Sequence, residues 1–448
     1  MRLWILALLL TGCANAPKSD FVITREPLGP PIAGFGTCMN PYLYAPPNMP
    51  DEISEEQVKE LEAKIKALRP QFVRIFFLQS WWDLDTDASI AKGRPGMRRS
   101  LIRTIRLAQE SGATVLLQFW YDPNRYQDPD GVAQRFARTI AELRRDHGLA
   151  SIRYATIQNE PDENPGDATW VRYVRVYRAF DRALRDEGIR QQIQIIGGDL
   201  VGEYQHRWFE KLGRELSPVL DGYSIHSYWD YWDIRKFRRH IADTSAILAK
   251  MPARQRRPIY VTEFGARGFR DRPEIEPGKA VDGRPLCDDP TYAFEIAIFM
   301  LDTINAGFVA TAQWDLYDAW YDRKMGYGVI GPVERGFPFK PGYPLLQMFT
   351  HATQPGWRAM KIDGRIEDLW LAALRGPGRD QLSIFVLNRL KSERQITLSG
   401  LPPGRTFTVR RWNFKGTGEA QTATPITADA KGTITLNLPH MAVEVLSS

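Results

Sequence analysis

Two short apolar runs of this 448-residue chain end in glutamate: Ala155-Thr156-Ile157-Gln158-Asn159-Glu160-Pro161 and Pro258-Ile259-Tyr260-Val261-Thr262-Glu263-Phe264-Gly265. Such runs read as buried strands, and in a parallel barrel the C-terminal strand ends open into the active-site mouth. Pro161 stops the strand and fixes the turn after Glu160. Two carboxyls delivered to one mouth can divide the labour of acid-base and nucleophilic chemistry: the one raised in pKa by its neighbour's charge carries a proton, and the other stays ionised. Taken singly, Asn-Glu-Pro arises easily by chance, and a strand-end glutamate is often only salt-bridged. Finding both at the same structural position favours the chemical reading.

Further segments could serve such a pair. Gly222-Tyr223-Ser224-Ile225-His226-Ser227-Tyr228 is the apolar run before that of Glu263, and His226 and Tyr228 share one face at the strand period of two. The Tyr228 hydroxyl could donate to the carboxylate; a lone strand histidine is otherwise a satisfied core residue. Arg74, within Val73-Arg74-Ile75, is costly in an apolar strand unless paired, and a barrel-interior Arg74 held against Glu263 would be paired. Trp314, in Gln313-Trp314-Asp315, offers either a flat platform for a sugar ring or core packing. Aromatic residues cluster near the proposed strand ends (Trp81, Trp82, Trp120, Tyr121, Trp229, Tyr231, Trp232, Trp320 and Tyr321) and suggest a cleft for an oligo- or polysaccharide. Arg267, Arg270 and Arg272 either solvate their loop or read acidic groups on a polymer.

The elements that must position these side chains alternate. Candidate strands at 32–38, 72–77, 114–119, 153–158, 193–196, 222–226, 259–262 and 310–314 are separated by helix-period segments; 54–68, for instance, puts Val58, Leu61, Ile65 and Leu68 on one face. Eight such units predict an α/β fold, a (β/α)8 TIM barrel over residues 31–352. Gly34-Phe35-Gly36 lacks the third glycine of a dinucleotide loop. From about residue 365 short strands punctuated by Gly and Pro (369–374, 382–388, 395–398, 407–412, 433–436 and 442–446) predict a C-terminal antiparallel β-sandwich domain, 353–448.

At the N-terminus, Met1-Arg2 and the apolar run Leu3 to Leu10 are too short to span a bilayer and read as a signal peptide, residues 1–12. Leu10-Thr11-Gly12-Cys13 resembles the bacterial lipobox, in which the cysteine is lipidated. The expectation is an exported lipoprotein anchored to a membrane through Cys13, on its periplasmic or cell-surface face, with Ala14 favouring the outer membrane. Residues 13–30 would form a tether, with room for a short strand at 21–24. Cys38 and Cys287 either pair or remain free. The six histidines show no metal-ligand spacing, so neither metal nor cofactor is expected. A chain with 43% hydrophobic and 25% charged residues is not a disordered one. Its net charge of +6 is scattered over helix faces, as at Arg135, Arg138, Arg144 and Arg145, so no nucleic acid is expected as partner.

Taken together, Asn159-Glu160-Pro161, Thr262-Glu263-Phe264-Gly265, His226-Ser227-Tyr228, Arg74 and Trp314 resemble, in chain order, the motifs of clan A glycoside hydrolases, over residues 32–350. A barrel followed by a β-sandwich is similar to families 39 and 30, and the clan also includes family 5. The resemblance implies a retaining β-glycosidase acting on a poly- or oligosaccharide as a monomer. Glu160 would be acid/base, Glu263 nucleophile, and Asn159 the ligand of the sugar 2-hydroxyl, with Arg74, His226, Tyr228 and Trp314 completing the substrate site. Many members carry a histidine at the end of strand three. Here Leu116-Leu117-Gln118-Phe119-Trp120-Tyr121 puts Gln118 or Trp120 there, which argues against a plain cellulase. A transglycosylase using the same two glutamates, or a non-catalytic carbohydrate-binding lipoprotein, are the alternatives.

Overall fold

The computed structural model describes residues 19–45, 53–83, 96–120, 128–163, 166–201, 205–268, 275, 279–318, 326–378, 380–413 and 420–448. After a first strand, β1 (Phe21–Pro27), eight strands close into a parallel barrel: β2 (Gly34–Cys38), β3 (Phe72–Phe77), β4 (Thr114–Phe119), β5 (Ile152–Ile157), β6 (Gln194–Leu200), β7 (Gly222–Asp230), β8 (Ile259–Gly268) and β9 (Ala310–Gln313). Each pairs with the next, and β9 pairs back with β2. The helices between them turn one apolar face to the strands. In Glu55–Leu68, capped by Ser54 and Gln57 in a reciprocal capping box, that face is Val58, Leu61, Ile65 and Leu68, as the periodicity predicts.

The remaining strands are β10 (Arg358–Asp363), β11 (Leu369–Arg375), β12 (Leu382–Asn388), β13 (Arg394–Ser399), β14 (Thr406–Asn413), β15 (Gln421–Thr427), β16 (Ile434–Leu438) and β17 (Ala442–Ser447). With β1 they form one nine-stranded sheet in the order β15-β14-β17-β12-β11-β10-β1-β13-β16, antiparallel except where β1 meets β13. Strands β11 and β12 are buried on both faces. Leu369, Leu371, Ile384 and Val386 enter the domain's own core, whereas Trp370, Ala372, Phe385 and Leu387 join the core shared with the barrel helices. The β-domain is thereby packed against the barrel over continuous apolar surface.

One expectation is corrected and one open alternative is decided. The segment taken as a tether, residues 13–30, contains β1, an interior strand of the sheet between β10 and β13, with Phe21 and Ile23 in the domain core. It is longer than a strand over 21–24. Cys38 and Cys287 are both free thiols, buried apart: Cys38 in the barrel, Cys287 against the Tyr327 carbonyl. Among the described residues no helix is long and apolar enough to cross a membrane.

The end of β5 is held from behind. The buried Tyr177 hydroxyl, on the helix Asp167–Asp186, accepts from the Ile157 amide at 3.0 Å, lies 2.9 Å from the Ile157 carbonyl and 3.1 Å from that of Ile196 on β6. Tyr177→Phe strips those buried backbone groups of their partner. It is expected to lower unfolding free energy by about 1–3 kcal/mol in urea titration; an unchanged midpoint would mean the hydroxyl contributes nothing.

Candidate active site

Alternation along the barrel strands builds the site upward from an apolar floor. On β3, Phe72 packs against Tyr154 and Tyr260 at the bottom, Arg74 stands above it, and Phe76 walls the cleft, while Val73, Ile75 and Phe77 face the helices. On β7 the inward series is Ser224, His226 and Tyr228. On β8 strict alternation would send Tyr260, Thr262 and Phe264 inward and Val261 and Glu263 outward. A bulge intervenes: β8 carries one residue more than β7 between the pairs Ile225↔Val261 and His226↔Glu263. Thr262 and Glu263 therefore both face the interior, and Phe264 returns to the helix side.

Arg74, almost fully buried, ties the parts together. Its Nη1 donates to Glu263 Oε2 at 2.6 Å and its Nη2 to Asn159 Oδ1 at 2.5 Å. The Tyr228 hydroxyl donates to the other Glu263 oxygen, Oε1. Burial pushes the Tyr228 phenol well up, and the facing Glu263 charge adds to this, so it remains a donor. Both oxygens of Glu263 are thus fixed by strong donors.

Glu160 follows β5 in a turn where Gln158 and Glu160 both have positive φ, 71° and 45°. Its Oε1 meets His226 Nδ1 at 2.8 Å. Burial pushes the Glu160 carboxyl up, but His226, Arg267 and Arg74 outweigh it and hold the group below the ordinary carboxylate range in the free site. This corrects the expectation that a neighbouring carboxylate raises it: the cations beside Glu160 win. Burial pulls His226 down, yet Glu263, Asp199 and Glu160 together raise it to about 10, so the ring is an imidazolium at neutral pH.

One oxygen each of Glu160 and Glu263 and a ring nitrogen of His226 lie within 4.8 Å of one another. Such a cluster could hold a cation in principle. Here both oxygens of Glu263 are already taken by Arg74 and Tyr228, and the Arg74 guanidinium beside the cluster repels a cation, so the donor set does not suit a metal. It suits two carboxylates acting from opposite sides of a bond.

The cleft above them encloses about 480 Å³. Arg74, Asn159, Glu160, Glu263, Tyr228, Trp314, Gln118 and Trp120 all line it, and His226 lies directly beneath, fully buried. Trp314 runs nearly parallel to Phe76, with ring centroids 6.4 Å apart. Trp120 is 44% exposed at the rim. Gln118 is buried, its amide donating to the Phe119 carbonyl. Arg267 reaches the cleft, its guanidinium 4.3 Å above the Tyr228 ring.

Other expected residues are elsewhere. Trp229 is fully buried on the helix side of β7, stacked near Phe264 and Phe299. Trp81 and Trp82 are packing residues, Trp81 behind Phe76. Trp232 lines a separate cavity where the barrel meets the β-domain. Cys13, Tyr121, Arg270, Arg272, Trp320 and Tyr321 lie outside the described residues.

Phe76, on the cleft wall, and three further site residues escaped the sequence reading. Tyr327 and Glu163 line the cleft; burial and the neighbouring Glu160 push Glu163 up. Asp199 is fully buried on β6 against the far side of His226. Its signal was an acid after an apolar strand, hidden behind Gly197-Gly198, which reads as the strand's end.

No protein-family model matches the chain, and no curated protein matches it. Solved structures do. The chain is similar to a GH30 endoxylanase from Clostridium papyrosolvens C71 at 12% identity and TM-score 0.68, over 96% of this chain and 100% of that one. It is similar to the GH51 arabinofuranosidase from Xanthomonas axonopodis pv. citri at 14% identity and TM-score 0.70, over 96% and 100%. An α-L-arabinofuranosidase from Thermotoga maritima, solved with arabinose, matches at 14% identity and TM-score 0.68 over the same shares. The fold is the one these solved structures share, a TIM barrel with a C-terminal β-sandwich. Family 30 is one of the resemblances drawn from the residues; family 51 is an addition.

Proposed function

We propose that this chain is a retaining β-glycosidase that hydrolyses a poly- or oligosaccharide by double displacement. The observation that carries the reading is the approach of Glu160 and Glu263 oxygens to within 4.8 Å across one cleft. Retaining enzymes hold their carboxyl groups about 5–5.5 Å apart, and inverting ones about 6.5–9.5 Å, to admit a water. Glu263, oriented by Arg74 and Tyr228, attacks the anomeric carbon. Glu160 protonates the leaving oxygen, then takes a proton from the water that releases the sugar. Asn159 Oδ1 is occupied by Arg74, which leaves its amide N–H group for a sugar hydroxyl. Trp314 and Trp120 supply apolar faces for the rings.

The test is a polysaccharide panel with mass analysis of products and Glu263→Ala as control. Xylan and arabinose-bearing polymers come first, because fold relatives are named for them; β-glucans and uronic acid polymers follow. Release of oligosaccharides by wild type but not by the control is expected. Absence of cleavage across the panel, with binding retained, would favour a carbohydrate-binding protein instead.

A further inference from the structure

The proton that a general acid needs is not on Glu160 in the free site, and the surroundings of His226 indicate where it is kept. The ring is fully buried between two carboxylates: Nδ1 faces Glu160 Oε1 at 2.8 Å, and Nε2 faces Asp199 Oδ1 at 3.6 Å. The latter contact is an ion pair, longer than a hydrogen bond. Among the described residues Nε2 has no other partner.

Asp199 can only be an acceptor. Its Oδ1 accepts from Ser224 Oγ at 2.7 Å and Thr262 Oγ1 at 2.6 Å, and its Oδ2 from Thr156 Oγ1 at 3.3 Å. Ser224 Oγ itself accepts the Asp199 amide at 2.7 Å, so its proton is committed to Oδ1. Burial pushes the Asp199 carboxyl up, but His226, Arg74 and the Thr262 hydroxyl hold it well below the usual range. A bare lone pair on Nε2 would therefore face a carboxylate oxygen across a fully buried gap. With Nε2 protonated, only one arrangement of the other side remains: a single proton in the Nδ1···Oε1 bond, held on nitrogen in the free site.

We infer that Asp199 is a positioning residue that pins a proton on Nε2 of His226, so that Nδ1 and Glu160 share one further proton, the one Glu160 gives to the leaving oxygen. The acid step rests on the glycosidase reading; the proton inventory does not. Charged or titratable groups reach the ring from four other strands: Arg74 from β3, Glu160 after β5, Asp199 from β6 and Glu263 from β8. Tyr228 stands two residues on along β7; Arg267 and Glu163 stand beyond Glu160, and Tyr177 behind Asp199.

The balance closes through both steps. As Glu263 forms its bond to the anomeric carbon it loses the charge that most favours the imidazolium, 4.0 Å from Nδ1. The proton passes from Nδ1 to Glu160 and on to the departing oxygen as the glycosidic bond breaks. Water then attacks, the ester bond breaks, Glu263 regains its charge, and the water proton returns through Glu160 to Nδ1. Backbone geometry supports the placement of Asp199. A bulge in β6 between Gly197 and Leu200 turns it inward. Gly198, at φ 133°, lies so close to β7 that a Cβ would stand 2.1 Å from the Ser224 carbonyl oxygen.

The test is ring-nitrogen NMR on full-length protein labelled with 15N-histidine, from pH 5.5 to 10, with the His226 signals assigned by their loss in His226→Gln. In wild type, both His226 nitrogens are expected to be protonated at pH 7, with no titration below about pH 9. In Asp199→Asn the titration is expected to fall by 2 pH units or more, toward the ordinary value of about 6.5. In Glu263→Gln, which leaves Asp199 in place, it is also expected to fall. A bare Nε2 in wild type at pH 7 overturns the inference without any variant. So does an Asp199→Asn protein whose His226 titrates as in wild type. Neither readout depends on hydrolysis, so a negative polysaccharide panel beside a positive NMR result would count against the glycosidase reading alone.

Discussion

Glu263→Gln is expected to lower kcat on any substrate the wild type cleaves by a factor on the order of 10⁴–10⁶, the scale on which loss of a covalent nucleophile is felt. The amide has the shape of the carboxylate but cannot form the glycosyl ester. The fold should survive. Gln keeps one acceptor for Arg74 or Tyr228, and Arg74 retains Asn159. The donor left without a partner costs about 1–3 kcal/mol, visible as a modest drop in thermal midpoint. Circular dichroism should be unchanged, and steady-state rates should fall to background. A folded Glu263→Gln protein that turns over near the wild-type rate sinks the nucleophile assignment and the double-displacement scheme with it.

Glu160→Ala is expected to separate substrates by their leaving groups. General acid catalysis contributes about 10²–10⁴-fold, and a sugar alkoxide needs it far more than a nitrophenolate does. The variant should therefore be nearly inert on polysaccharide yet form the glycosyl-enzyme quickly from an activated aryl glycoside. Release of that intermediate is then slow, because no base activates water. Sodium azide, which needs no base, should restore turnover and yield a glycosyl azide of retained configuration. Equal losses on both substrate types, with no effect of azide, would show that Glu160 is not the acid/base.

Much of this arrangement was legible because strand and helix periods survive into the fold. Val58, Leu61, Ile65 and Leu68 face inward where a period of 3.6 sends them. His226 and Tyr228 share a face at a period of 2, and a buried Arg74 demanded a partner and has two. What stayed hidden lies where the period breaks. The bulge that turns Glu263 inward adds one residue to β8, and nothing in Val261-Thr262-Glu263-Phe264 announces it. Asp199 sits beyond two glycines that read as punctuation, although one of them is there to let β6 approach β7. Trp229 was assigned to the cleft because β7 was expected to stop at His226. The strand runs on to Asp230, and alternation then sends Trp229 to the helix side. The Glu160 shift failed for a different reason: its sign depends on cations contributed by three other segments, and spacing along one segment carries no information about them.

The place of β1 in the sheet bears on how this chain can fold. Its neighbours are made much later: the Asp20 amide bonds to Thr397, 377 residues further on, and Val22 pairs with Asp363. A strand made this early stays unpaired, apolar at Phe21 and Ile23, until β10 has emerged more than 300 residues later. Closing so long a loop costs entropy before any contact compensates, and topologies of this kind fold slowly. The barrel and the β-domain are therefore not successive beads on the chain. Residues 353–448 by themselves are a sheet missing the strand that joins β10 to β13.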